Sequence, residues 1–132
     1  MDANVEHARE LAELSMRQEV SEALKTLDAL ESLLSENPEE TEVAVWLAKS
    51  LRNLCGRVSG VQAQQFYAGL ERLGTMYWES KAVVEEQAKG IILLCAGLDE
   101  MSAFVYKARL QGLLTLYPDM ADMIEEFQAN AE

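Results

Sequence analysis

The chain has 132 residues, 49% apolar and 26% charged, which suits one folded domain with a core of ordinary size. Its net charge of −12 argues against a duplex DNA or RNA binder, whose phosphate contacts need clustered Lys and Arg. Cys55 and Cys95 are too few and too widely spaced for a small secreted disulfide scaffold and read as two buried free thiols acting as small apolar residues. No apolar run reaches membrane-spanning length and no signal-peptide pattern opens the chain, so a soluble cytoplasmic protein without membrane contact is expected.

Residues 2–16 read as a helix. Val5, Ala8, Leu11, Ala12 and Leu14 form an apolar stripe, with Glu6, Arg9, Glu10 and Glu13 on the other side. A second helix over 19–36 turns Ala23, Leu27, Leu30, Leu33 and Leu34 inward and ends before Asn37-Pro38. Pro38 suits the first turn of a third helix over 38–55, with Asn37 and Glu40 spaced as a capping box and Gly56 as its breaker. Ser59 with Gln62 opens a fourth helix over 60–77, carrying Ala63, Phe66, Leu70 and Leu73. The fifth, over 80–95, carries Val83, Val84, Ile91 and Leu94. The sixth, over 100–116 after Asp99, carries Ala103, Tyr106, Leu110 and Leu113. Pro118 leads into a last helix over 119–129, with Met123, Ile124 and Phe127 inward. No segment alternates with period two, so no strand is expected. Gly69, Gly74, Gly90 and Gly112 fall inside helices, where each costs about 1 kcal/mol against Ala. Close packing or a local bend would account for them.

The spacing of these helices is regular. Shifted by forty residues, Leu30, Glu31 and Leu33 fall on Leu70, Glu71 and Leu73, then on Leu110, Gln111 and Leu113. Val43, Ala48, Lys49, Leu51, Leu54 and Cys55 fall on Val83, Ala88, Lys89, Ile91, Leu94 and Cys95. A constant period without gaps is the mark of a repeat architecture. The expected fold is all-α: about seven antiparallel helices in a short right-handed superhelix, or solenoid, with a 40-residue repeat. One domain would fill 1–132, with 1–16 as an N-terminal cap and helix pairs at 19–56, 59–96 and 99–130.

The segment 38–51 resembles the first helix of a tetratricopeptide repeat, which places a Pro before the helix, then a Leu, a small residue and a large residue three further on. Here these are Pro38, Leu47, Ala48 and Leu51. The preceding helix, with Leu30 and Leu33, resembles that family's second helix. The period of forty is longer than the family's and closer to HEAT-like or armadillo-like repeats. Ala44 stands at the family's signature Trp position, and Trp78 stands where the second unit would carry Pro. The resemblance implies an α-α superhelix whose first helices line a groove. Carried over by position, Val45, Lys49, Arg52 and Asn53 face that groove, with Arg9 and Lys89 from adjoining units.

No reaction chemistry emerges. His7 is the only histidine, no Cys/His cluster has metal spacing, and no phosphate-cradling glycine loop or nucleophile elbow is present, so neither an enzyme nor a metal or cofactor is expected. Glu39-Glu40, Glu85-Glu86 and Glu125-Glu126 fall at or near helix starts, where carboxylates suit the dipole. Trp46 is more telling: its counterparts are Glu6, Glu86 and Glu126, so an aromatic stands where charge is expected. Beside it runs a basic row, Arg9, Lys49 and Lys89, in which Glu6–Arg9 and Glu86–Lys89 also have the spacing of intrahelical ion pairs. Residues 1–48 carry 12 acids and 3 bases, residues 49–89 carry 4 and 6, and residues 90–132 carry 7 and 2, so only the middle is locally basic. Phe66 and Tyr106 share a core-facing position, while Tyr77, Trp78 and Tyr117 sit at helix junctions.

These features point first to a non-catalytic scaffold that holds a protein or peptide in a helical groove at Trp46, Lys49, Arg52, Asn53, Arg9 and Lys89. The alternative is a self-associating, homodimeric helical protein with an apolar edge at Met120, Met123 and Phe127. A third reading is an acidic decoy whose residues 1–48 engage a basic partner.

Overall fold

The computed structural model describes residues 2–131; Met1 and Glu132, the ends of the expected domain, lie outside them. Seven α-helices follow in order: α1 Ala3–Arg17, α2 Val20–Glu36, α3 Thr41–Cys55, α4 Gly60–Met76, α5 Lys81–Cys95, α6 Glu100–Leu116 and α7 Ala121–Ala131. A 3-10 turn, Pro118–Met120, precedes α7, and no strand occurs among the described residues. Helices α3 and α5 start and end forty residues apart, as do α4 and α6. None of the described helices is long and apolar enough to cross a membrane.

Three helix starts, those of α1, α5 and α6, are capped by short polar side chains that accept free backbone N–H groups. Asp2 accepts from Asn4 (2.9 Å), Ser80 from Val83 (3.3 Å) and Asp99 from Ser102 (2.8 Å). The expected capping box at Asn37 and Glu40 does not form. Asn37 ends α2 instead, its amide donating to Leu33 O (3.0 Å), while Glu40 accepts from Asn4 of α1 (3.1 Å). Pro38 therefore lies in a turn before α3 rather than in its first turn. Ser59 precedes α4 without a side-chain cap.

Helices α1, α3 and α5 pack in a row, α1 against α3 and α3 against α5, and α7 joins at α5. Helix α2 packs on α1 and α3, α4 on α3 and α5, and α6 on α5 and the 3-10 turn. Ala8, Ala48 and Ala88 are fully buried on the three row helices, where small side chains allow close approach. Leu30, Leu70 and Leu110 are all buried on the flanking helices. Leu14, expected inward, is 39% exposed, because α1 is the end of the row and, besides α2, has a row neighbour, α3, on one side only.

Two helical glycines have a packing cause. A Cβ on Gly90 would stand 2.5 Å from Leu70 Cδ2, and one on Gly74 would run into the Gln87 side-chain amide, so α4 and α5 meet at both points. Neither glycine breaks its helix. Gly112 faces open space and Gly69 only ordinary contacts.

Hydrogen bonds between elements also recur at a spacing of forty. Tyr77 Oη donates to Pro38 O and Tyr117 Oη to Trp78 O, both at 2.7 Å, tying the end of each flanking helix to the turn that follows the flanking helix before it. Cys55 Sγ lies 3.9 Å from Ala63 O and Cys95 Sγ 3.7 Å from Ala103 O. Both thiols are free; Cys55 is buried as expected, whereas Cys95 is only half-buried, and burial pushes the Cys55 thiol up to about 12, which favours its protonated form.

Candidate functional site

The row helices carry the residues expected to bind. Arg9 turns to its own helix, donating to Glu6 and to Glu13 (2.8 Å). Trp46 is half-buried against the core, and Lys49 Nζ lies over its ring, 4.8 Å from the centroid. Arg52 Nε donates to Glu86 Oε1 (2.7 Å) across α3 and α5, and Lys89 Nζ reaches Glu86 Oε2 (3.3 Å). Glu86 is only 5% exposed, so its position is not the solvent-facing one that its repeat counterparts suggest. A buried carboxylate needs paired charge, and Arg52 and Lys89 supply it. Asn53 Oδ1 accepts from Arg57 (3.4 Å), whose guanidinium also donates to Ser15 O (2.8 Å) and Gln18 O, closing the end of α1.

The structure thus brings Arg52 and Lys89 together on one carboxylate and Lys49 onto Trp46, and it ties Arg9 and Asn53 to other groups. The intrahelical pairs Glu6–Arg9 and Glu86–Lys89 both form. Most of the row's positive charge is spent inside the fold. Of these cations, Lys49 rests on an aromatic ring rather than a carboxylate.

The expected apolar edge is also placed differently. Met120 is 1% exposed and part of the core, so it does not face outward. Met123 and Phe127 are half-buried, and Lys89 Nζ lies over the Phe127 ring at 5.7 Å. Exposed apolar side chains gather instead on α6, where Met101 is 85% exposed and Phe104 and Leu116 are each 73%. Spacings of three, twelve and fifteen residues put these on one helical face.

A concave site that sequence patterning does not show lies on the other side of α3. Helices α2 and α4 both pack on α3, leaving a cleft of ≈ 320 Å³ between them. Leu47 and Leu51 of α3, both buried, form its floor. Glu31, Leu34 and Ser35 line the α2 wall; Gly69, Arg72, Leu73 and Met76 line the α4 wall; Pro38 and Tyr77 close one end. Gly69 keeps the α4 wall low, since a Cβ there would already touch Leu51 at 3.6 Å. Burial and the nearby Asp28 carboxylate raise the pKa of Glu31, with Arg72 opposing them more weakly. This is a small apolar cleft with an acid on one wall and a guanidinium on the other, a size and chemistry suited to one or two side chains of a partner.

Among the described residues, no three His, Cys, Asp or Glu stand close enough together to hold a metal ion. No family model, curated protein or solved structure matches the chain.

Proposed function

We propose that this chain is a non-catalytic scaffold that binds a protein or peptide segment, built as a short right-handed superhelix of antiparallel helix pairs. The forty-residue recurrence of helix limits, of the Tyr77 and Tyr117 bonds and of the two cysteine contacts supports the repeat reading. The apolar cleft over α3 carries the functional reading. It is preformed, floored by core leucines and walled by two helices that each rest on α3, so a partner side chain enters without rearranging the core. The α3/α5 face with Trp46 and Lys49, on the other side of α3, is a separate second contact area.

Peptide display against the folded chain tests this. The expected result is a family of related peptides whose binding falls at least about tenfold on Gly69→Leu, which fills the cleft from a surface that tolerates a side chain. Enrichment of no family would contradict the scaffold reading. Loss on Trp46→Ala but not on Gly69→Leu would move the site to the α3/α5 face.

The α6 face supports the second reading, self-association. Met101, Phe104 and Leu116 form an exposed apolar stripe on a helix with only Ala103 and Leu110 buried.

A further inference from the structure

At the place between α4 and α6 that lies forty residues on from the cleft between α2 and α4, the two helices are bridged by the protein's own side chains. There, Glu71 of α4 accepts from Arg109 of α6 (3.3 Å) and from Tyr67 Oη (3.3 Å). The Arg109 guanidinium also lies over the Tyr106 ring, 4.8 Å from its centroid. Tyr67 in turn accepts from Gln87 Nε2 (3.2 Å) and meets Tyr106 edge-on, with centroids 5.4 Å apart, so the bridge rests on a buried polar network.

Moving back forty residues gives the cleft with its donors removed. Glu31 takes the place of Glu71, but Leu27 stands for Tyr67 and Gly69 for Arg109. The acid is kept and both donors are gone. Asp28, one turn earlier on the same helix, adds negative charge, and Glu39 follows Pro38 at the closed end. Arg72 is the one cation on the walls; it forms no ion pair with Glu31, and its charge acts on Glu31 more weakly than burial and Asp28 do. On a chain of net charge −12, this wall favours a cation.

Resting on the scaffold reading above, we propose that the cleft binds an arginine-bearing peptide segment, whose guanidinium pairs with Glu31 as Arg109 pairs with Glu71. The aliphatic stem of that arginine and a neighbouring apolar residue lie on Leu47 and Leu51. A long cationic side chain suits this mixture, because its stem packs on apolar surface while its head stays near water. Arginine is favoured over lysine because its planar fork holds a carboxylate by two parallel hydrogen bonds.

The test is an amide-resolved NMR titration with two blocked peptides, acetyl-Leu-Arg-Leu-amide and the same peptide with neutral citrulline for arginine. The expected result is shifts at Glu31, Gly69 and Arg72 with about fivefold tighter binding of the arginine peptide, the size of a good exposed ion pair. Glu31→Gln should remove that preference while leaving the weaker citrulline binding. Gly69→Arg, which supplies the guanidinium from within as Arg109 does between α4 and α6, should remove binding of both peptides without lowering the melting temperature. Equal binding of the two peptides, a preference that survives Glu31→Gln, or no shift at these amides would overturn the proposal. Display-selected peptides that lack arginine but still lose binding on Gly69→Leu would overturn it while leaving the scaffold reading intact.

Discussion

Leu70→Ala is expected to lower the unfolding free energy by about 3–4 kcal/mol, read as a shift of the urea midpoint at unchanged slope. Leu70 is fully buried, and its Cδ2 occupies the space that a Cβ at Gly90 would need. Helices α4 and α5 already touch at Gly74 and Gly90, so they cannot close further to fill the hole. Leu110→Ala, at the matching position of α6, should cost about 2 kcal/mol. Helix α6 packs mainly on α5 and the 3-10 turn and meets α4 only through side chains such as Arg109 and Tyr106, so it can settle into the space. A loss under 1 kcal/mol at Leu70, or a larger loss at Leu110, would contradict this picture of the core.

The second large effect is at Arg52. Removing this guanidinium by Arg52→Ala leaves Glu86, with its side chain 6% exposed, to Lys89 alone. The expected cost is about 2–3 kcal/mol, somewhat below that of breaking a fully enclosed pair, because Arg52 itself is 25% exposed. Most of the cost is the stranded acid rather than the lost attraction. The double variant Arg52→Met, Glu86→Leu should therefore recover more than half of the loss in the same urea assay. A single variant within 0.5 kcal/mol of the parent protein, or a double variant less stable than the single, would contradict the assignment of Glu86 as a buried, paired charge.

The helices were legible because their signals are local. Apolar spacing and the turn residues at Gly56, Asp99 and Pro118 place them to within a few residues, and α6 begins and ends where its pattern predicts. The buried alanines followed from register alone. Side chains whose environment depends on a neighbouring helix were less legible. Glu86 looked exposed because Glu6 and Glu126 hold the same position, yet its surroundings are set by Arg52 on α3. Asn37 and Glu40 have capping-box spacing, but Asn4 of α1 takes the Glu40 carboxylate and Asn37 turns back to Leu33. Met120 looked like an edge residue because it joins Met123 and Phe127 in the last expected helix with no polar cap beyond them, whereas the 3-10 turn folds it into the core.

The cleft was the least legible feature. It arises from the gap between two helices that share a floor, and no pattern within one helix reports such a gap. Its trace in the sequence is the pairing of Leu27 with Tyr67 and of Gly69 with Arg109, two substitutions at one repeat position each that strip Glu31 of its donors. Reading the repeat for conserved apolar positions passes over them, because they differ where the apolar frame agrees.

The central claim is that forty-residue helix pairs stack as equivalent units. Inserting a second copy of residues 41–80 directly after Ser80 tests it, with thermal unfolding followed by circular dichroism. Stacked units predict unchanged ellipticity per residue and a single cooperative transition at the same or a higher temperature. A drop in ellipticity per residue, or a broad transition at lower temperature, would contradict it.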